Sequence, residues 1–145
     1  MTELLALHGI VEAAPDVVAA VLLDVRPGGR SPLATEGPIE PATDTGDEFV
    51  VVRDGSRLTV RVDRAARSVT REGEWWYRGV TSVQPDPRGS LVIARILNIA
   101  RGNRWAVRWV ARGPLNAAPA GFAADLDHLG RELGVPAWAL DGPAS

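Results

Sequence analysis

The chain has 145 residues, of which 46% are hydrophobic and 23% charged, and these values are typical of one globular domain with a single core. It contains no cysteine, which excludes disulfides, thiolate nucleophiles and thiolate metal sites. The net charge of -2 argues against nucleic acid as a partner. Without a long apolar run or a basic leader, we expect a cytoplasmic protein with no stable membrane insertion.

The first part of the chain is predicted to form a strand and then a helix. Apolar residues alternate imperfectly over Leu4–Glu12 and then recur at helical spacing until about Val25. Pro15 suits the first helical turn, where a missing N–H leaves no hydrogen bond unmade. Residues 26–47 are rich in proline and glycine, which predicts a long connection with a short strand around Leu33–Ile39.

A hairpin follows this connection. Phe49–Arg53 leads through Asp54-Gly55, a strong turn signal, into a strand in which Leu58, Val60 and Val62 alternate with polar residues. One face of that strand is therefore expected to be buried.

Three more strands complete a predicted antiparallel sheet. The first runs over residues 67–72, and two long strands cover 75–84 and 90–100. The residues between the long strands, 85–89, have the composition of a turn.

The C-terminal part is predicted to be helical. Arginines and tryptophans recur at every fourth residue of 101–112, a spacing that fits helix and strand alike; we favour helix. Gly113-Pro114 is expected to end this helix and Pro119 to open another. In the second helix an apolar stripe consists of Phe122, Leu126, Leu129 and Leu133. Residues 139–145 are predicted to be a flexible tail.

This order of elements indicates an α+β helix-grip fold, in which a curved antiparallel sheet wraps around a long C-terminal helix. Leu7–Val18 and Phe122–Gly134 resemble the opening strand with its helix and the closing helix of the START-like superfamily, also called the polyketide cyclase/dehydrase and lipid-transport proteins. Gly73–Gly79 and Arg95–Ala100 resemble an actinobacterial branch that has no assigned activity. The resemblance implies one helix-grip domain over residues 1–145.

An apolar cavity between the sheet and the closing helix is predicted to bind a hydrophobic small molecule, such as a lipid or a polyketide-like compound. The expected lining residues are Leu58, Val60, Trp75, Tyr77, Arg78, Arg95, Asn98, Phe122 and Leu126. Strand alternation would place Trp75 and Tyr77 on one face, either to stack on a ligand or to pack in the core. Arg78 and Arg95 would hold a carboxylate or phosphate of the ligand, or face solvent instead. Residues 26–47 are a candidate lid.

The sequence contains no catalytic signature, metal-ligand spacing or cofactor motif, so we expect a binding or carrier protein without cofactor or metal. One alternative is an aromatase/cyclase-type enzyme that uses Arg78, Tyr77, His8 or Asn98 for proton transfer or oxyanion stabilisation. Another is an interaction module in which residues 101–112 bind anionic lipid or a partner protein. We favour a different interpretation of residues 101–112, in which Trp105 and Trp109 anchor a helix to the core. The oligomeric state is left open.

Overall fold

The computed structural model describes residues 2–34, 39–41, 47–53, 55–73 and 75–140. Its strands are β1 Thr2–Val11, β2 Ile39–Pro41, β3 Glu48–Arg53, β4 Ser56–Asp63, β5 Ser68–Gly73, β6 Tyr77–Asp86, β7 Gly89–Asn98 and β8 Ala137–Ala139. Its helices are α1 Pro15–Leu22, a 3-10 turn Arg104–Ala106, α2 Val107–Val110 and α3 Arg112–Leu133.

The strands form one antiparallel sheet in the order β2-β3-β4-β5-β6-β7-β1-β8, and α3 lies against its concave face. The main core lies between them. It is built from inward-facing valines of the sheet, among them Val60, Val69 and Val92, and from the stripe residues Phe122 and Leu126 of α3. This is the predicted helix-grip α+β fold. The apolar period of α3 and the alternation of the strands each leave one face that must be buried, and the two faces cover each other.

The helix α3 packs closely against β1 at Gly9. A Cβ atom at Gly9 would lie 2.9 Å from Cδ2 of Leu126 and 3.1 Å from the carbonyl oxygen of Trp138. Only glycine leaves room for both the helix and β8 at this point.

The chain after α3 returns to the sheet. In β8, Ala139 pairs with Gly9, and the Leu140 N–H donates to the carbonyl of His8 at 2.8 Å. These two residues are the first of the predicted tail 139–145, and the remaining ones, 141–145, lie outside the described residues.

The strand expected over residues 75–84 begins instead at Tyr77. Trp76 precedes it, with only 4% of its surface exposed, in a second, smaller core that also contains Ala100, Val107 and Ala111. Its carbonyl accepts a hydrogen bond from the Ile99 N–H at 2.8 Å. Strand alternation therefore does not apply to Trp75 and Trp76, because both precede β6, and Trp76 is held by packing in this smaller core.

Residues after Ala100 are helical, as favoured, but the helix boundaries differ from those expected. Gly113-Pro114 does not end a helix and Pro119 does not open one, because α3 runs from Arg112 through both prolines. Pro114 lies in the first turn, where its missing N–H has no intrahelical partner, and Pro119 forfeits a single bond to the Leu115 carbonyl.

The expectation that Trp105 and Trp109 anchor this segment to the core is wrong. They are 70% and 59% exposed. Val107 and Ala111 take the anchoring role, since both are buried against Trp76. Small aliphatic side chains allow the short helix to approach the sheet closely, and the two indoles are left outside.

The long connection is described in part. Its beginning is fixed by the Asp24 carboxylate, which accepts hydrogen bonds from the Arg30 N–H at 3.0 Å and from Nε of Arg26 at 2.8 Å, and these bonds lower the pKa of Asp24. Leu33 is buried in the main core, and β2 extends the sheet beside β3. Part of the strand expected over Leu33–Ile39, and much of the candidate lid, lies outside the described residues.

Candidate ligand-binding cavity

A partly open cavity of about 240 Å³ lies between the concave face of the sheet and the first half of α3. Its walls from the sheet include Leu5, Leu7, Arg71, Tyr77, Thr81 and Ile96. Its walls from the helix are Pro114, Ala117, Ala118, Gly121, Phe122 and Asp125.

The helix leaves this space because its first half carries small side chains. Pro114, Ala117, Ala118 and Gly121 recur at helical spacing on the side that faces the sheet. A Cβ atom at Gly121 would meet no atom within 4 Å outside its chain neighbours and the nearby backbone of its own helix. From Phe122 onward the same helix carries large side chains, and there the space between helix and sheet is filled.

Arg71 brings a positive charge to the otherwise mainly apolar wall. It lies on β5 between Val60 and Gly79 of the neighbouring strands and on the same face as the buried Val69. Its Nε atom is buried and has no hydrogen-bond partner among the described residues. An unpaired buried N–H of a guanidinium is costly, so an acceptor that enters the cavity would relieve the cost.

Asp125 is the second polar group of the cavity. Burial raises its pKa to about 6, against the opposing effect of the positive charges of Arg71 and His128. Within the described part of the chain, Asp125 and Arg71 form no direct ion pair within 4.0 Å. A carboxyl and a guanidinium thus border the same space without satisfying each other.

Tyr77 forms a flat wall of the cavity. Its ring lies over Gly79, where a Cβ atom would come within 2.9 Å of the tyrosine Cζ. On another side it meets Trp76 edge to face, with ring centroids 5.5 Å apart and planes at 90°. These two contacts fix the ring, and its orientation depends on the absence of a side chain at position 79.

Of the residues predicted to line a cavity, Tyr77 and Phe122 border this one. Arg95 also borders it, but its side chain points away. Arg95 follows Ala94, which packs on the main core, so alternation places its side chain on the opposite face of the sheet. There its Nε lies 3.1 Å from Oε1 of Glu3.

The other predicted residues lie elsewhere. Val60 and Leu126 are in the filled part of the core, and Leu58 packs against that core. Arg78 donates to Glu72 from its Nε at 2.8 Å, and the Asn98 Oδ1 accepts the Ala100 N–H at 2.9 Å. Trp75 is 46% exposed, outside β6. A role for any of them in ligand binding stays a prediction.

The residues proposed for an enzyme are not brought together. Tyr77 faces α3. His8 lies between Leu7 and Gly9, both of which face α3, so the His8 side chain points to the opposite face of the sheet. Arg78 neighbours Tyr77 in β6 and likewise points away from α3.

Arg71 and Asp125 were missed by sequence reasoning. Asp125 lies outside the apolar stripe of its helix, so periodicity alone predicts a side chain that faces solvent. The signal that points to it is the spacing of Pro114, Ala118, Gly121 and Asp125, which places a carboxylate at the end of a row of small residues.

Among solved structures, the crystal structure of Ara h 8.0201 overlaps this chain with a TM-score of 0.54, covering 90% of this chain and 98% of that one at 16% sequence identity. The likeness is one of fold. It agrees with the helix-grip architecture that the START-like resemblance implied. No protein-family model matches the sequence, and no curated protein matches it.

Two further structures have lower TM-scores, and the assignment of the fold does not depend on them. TTHA0849 from Thermus thermophilus has a TM-score of 0.46 and 16% identity, covering 89% of this chain and 94% of that one. Protein CV1439 from Chromobacterium violaceum has a TM-score of 0.49 and 18% identity, covering 90% and 96%.

Two other features are absent from the described residues, a metal site and a membrane-spanning helix. No three His, Asp or Glu side chains there are grouped so that they could hold a metal ion. Within the same residues, no helix combines the length and hydropathy that a membrane span requires.

Proposed function

We propose that this protein is a cytoplasmic binding or carrier protein of the START-like superfamily, in its actinobacterial branch, and that it holds a small, mainly apolar molecule between the sheet and α3. The observation that carries the proposal is the cavity itself, a mainly apolar space bordered by the buried Arg71 Nε, which has no hydrogen-bond partner in the part of the chain that the structure describes. Binding sites for small molecules combine mostly apolar walls with a few polar groups that orient the ligand.

The volume of the cavity limits the size of the ligand that it can enclose. About 240 Å³ is below the roughly 300 to 1,000 Å³ of typical ligand sites, so the enclosed part of the ligand is short. A long acyl chain would extend through the open side. Arg71 selects for a hydrogen-bond acceptor on the ligand, such as a carboxylate, carbonyl or hydroxyl.

Ligand binding without catalysis accounts for the positions of the polar residues around the cavity. An aromatase/cyclase mechanism needs convergent proton-transfer groups, and His8 and Arg78 point away from the cavity that Tyr77 borders. Arg71 and Asp125, both partly buried, are suited to orienting a ligand by its polar end.

Native mass spectrometry of protein purified from its own host tests whether a small molecule is retained. Titration with octanoate and 1-octanol then tests the site directly. We expect both to bind, and octanoate to bind more tightly near pH 6 than near pH 8, because an ionised Asp125 repels the carboxylate.

Gly121→Leu is the blocking variant. The leucine would extend from a position with free space into the cavity mouth, so affinity for both probes should fall by about tenfold or more while the helix gains roughly 0.5 to 1 kcal/mol. Gly113→Leu is the matched control, since position 113 is also on α3, also has free space, and does not border the cavity. Equal probe affinity in both variants would show that the cavity is not the binding site.

A further inference from the structure

A surface of exposed aromatic and basic side chains lies outside the cavity, on the segment that joins β7 to α3. Trp105 and Trp109 are 70% and 59% exposed, and the Arg101, Arg108 and Arg112 side chains beside them are also exposed. Large exposed indoles are unusual on a monomer unless they contact something.

The packing of the segment points the indoles outward together. Val107 and Ala111, one helical turn apart, are buried against Trp76. Trp105 and Trp109 are also one turn apart, and they lie on the side away from that contact. The Arg112 guanidinium lies over the Trp109 ring, with its Cζ 5.6 Å from the ring centroid.

The sequence around this segment carries positive charge only. Residues 87–124 contain six arginines and no aspartate or glutamate, although the whole chain carries a net charge of -2. Glu3 lies near in the fold, since Thr2 accepts a hydrogen bond from Nη2 of Arg104, and Glu3 is itself paired with Arg95. The described residues include no ion pair between a carboxylate and Arg101, Arg108 or Arg112.

We propose that residues 101–112 dock on the surface of an anionic lipid bilayer, with the two indoles at the level of the headgroups and the arginines among the lipid phosphates. Tryptophan is enriched at membrane interfaces because its ring is apolar and its N–H is polar. Arginines near an anionic surface add electrostatic attraction. The negative total charge argues against nucleic acid, whose binding depends mainly on charge.

The geometry fits peripheral attachment. The segment is anchored to the core through Val107 and Ala111, so its outer side can meet a bilayer without unfolding. The cavity wall begins at Pro114, immediately after this segment, so docking would bring the cavity close to the lipid. The two functions remain separable, because residues 101–112 do not border the cavity.

Co-sedimentation of the full chain with vesicles tests the proposal. We expect binding to equimolar phosphatidylcholine and phosphatidylglycerol, weak binding to phosphatidylcholine alone, and loss of binding in about 1 M salt, where the Debye length falls to about 3 Å. Trp105→Ala/Trp109→Ala should weaken the vesicle partition coefficient by about tenfold or more. Arg108→Gln/Arg112→Gln should weaken it about 25-fold, at about fivefold for each arginine.

Controls use residues far from the segment. Trp138 is exposed on β8 and Arg131 is exposed near the end of α3, so Trp138→Ala and Arg131→Gln should bind vesicles like the wild type. Equal loss of binding in these controls, equal binding to both vesicle types, or binding to a single-stranded oligonucleotide in place of vesicles would each overturn the proposal. Octanoate affinity should stay unchanged in the tryptophan and arginine variants, which separates this result from the proposed function.

Discussion

Asp125 provides the sharpest test of the cavity, because its raised pKa lowers the free energy of unfolding at high pH by an amount that can be measured. Its pKa rises from 3.8 to about 6 through burial. A difference of about two pKa units corresponds to about 3 kcal/mol. Since the side chain is only partly buried, solvent screening reduces the expected contribution to about 1 to 2 kcal/mol.

The direction in which stability changes with pH follows from the protons bound by the folded and unfolded states. Between about pH 4 and 6 the folded state holds a proton on Asp125 that the unfolded state has released, so stability falls as pH rises through this window. Asp125→Asn removes the charge. The variant should therefore be more stable than the wild type by about 1 to 2 kcal/mol near pH 8, and equally stable near pH 4.

Urea unfolding followed by tryptophan fluorescence, at both pH values, measures this difference. In thermal unfolding the gain near pH 8 corresponds to about 2 to 8 °C. Asp127→Asn is the matched control, because Asp127 is exposed two residues further along α3 and should show no such pH dependence. A stability difference between wild type and Asp125→Asn that is the same at both pH values would refute the assignment of a raised pKa.

Three other variants probe the grip and the cavity. Gly9→Ala should destabilise the fold by about 1 to 3 kcal/mol in urea unfolding, because its Cβ would press on Leu126 and on the β8 backbone, whereas Gly102→Ala, where the space is open, should not. Leu126→Ala removes a fully buried side chain of the stripe and should cost about 2 to 5 kcal/mol in the same assay. Arg71→Met should leave stability unchanged or higher, since Nε has no partner among the described residues, and should weaken octanoate binding by about tenfold in calorimetry. If Arg71→Met binds octanoate as tightly as the wild type, the guanidinium does not hold the ligand.

The sequence alone determined those features that depend on local pattern. The opening strand and helix, the hairpin at Gly55, the turn before Gly89 and the stripe of Phe122, Leu126 and Leu129 all follow from periodicity and turn chemistry. The helix-grip fold follows in turn, because an apolar helix face and half-apolar strands have few ways to cover each other.

The tertiary structure decided the features that depend on contacts between distant residues. Trp76 is buried and Trp105 exposed, although both are tryptophans in regular patterns, because Val107 and Ala111 fill the contact beneath α2. Arg71 and Asp125 meet at one cavity only because α3 continues through Pro119 and places a row of small residues over β5 and β6. Local spacing specifies which face of an element is apolar, but the space left between two faces depends on how their side chains fit across the gap.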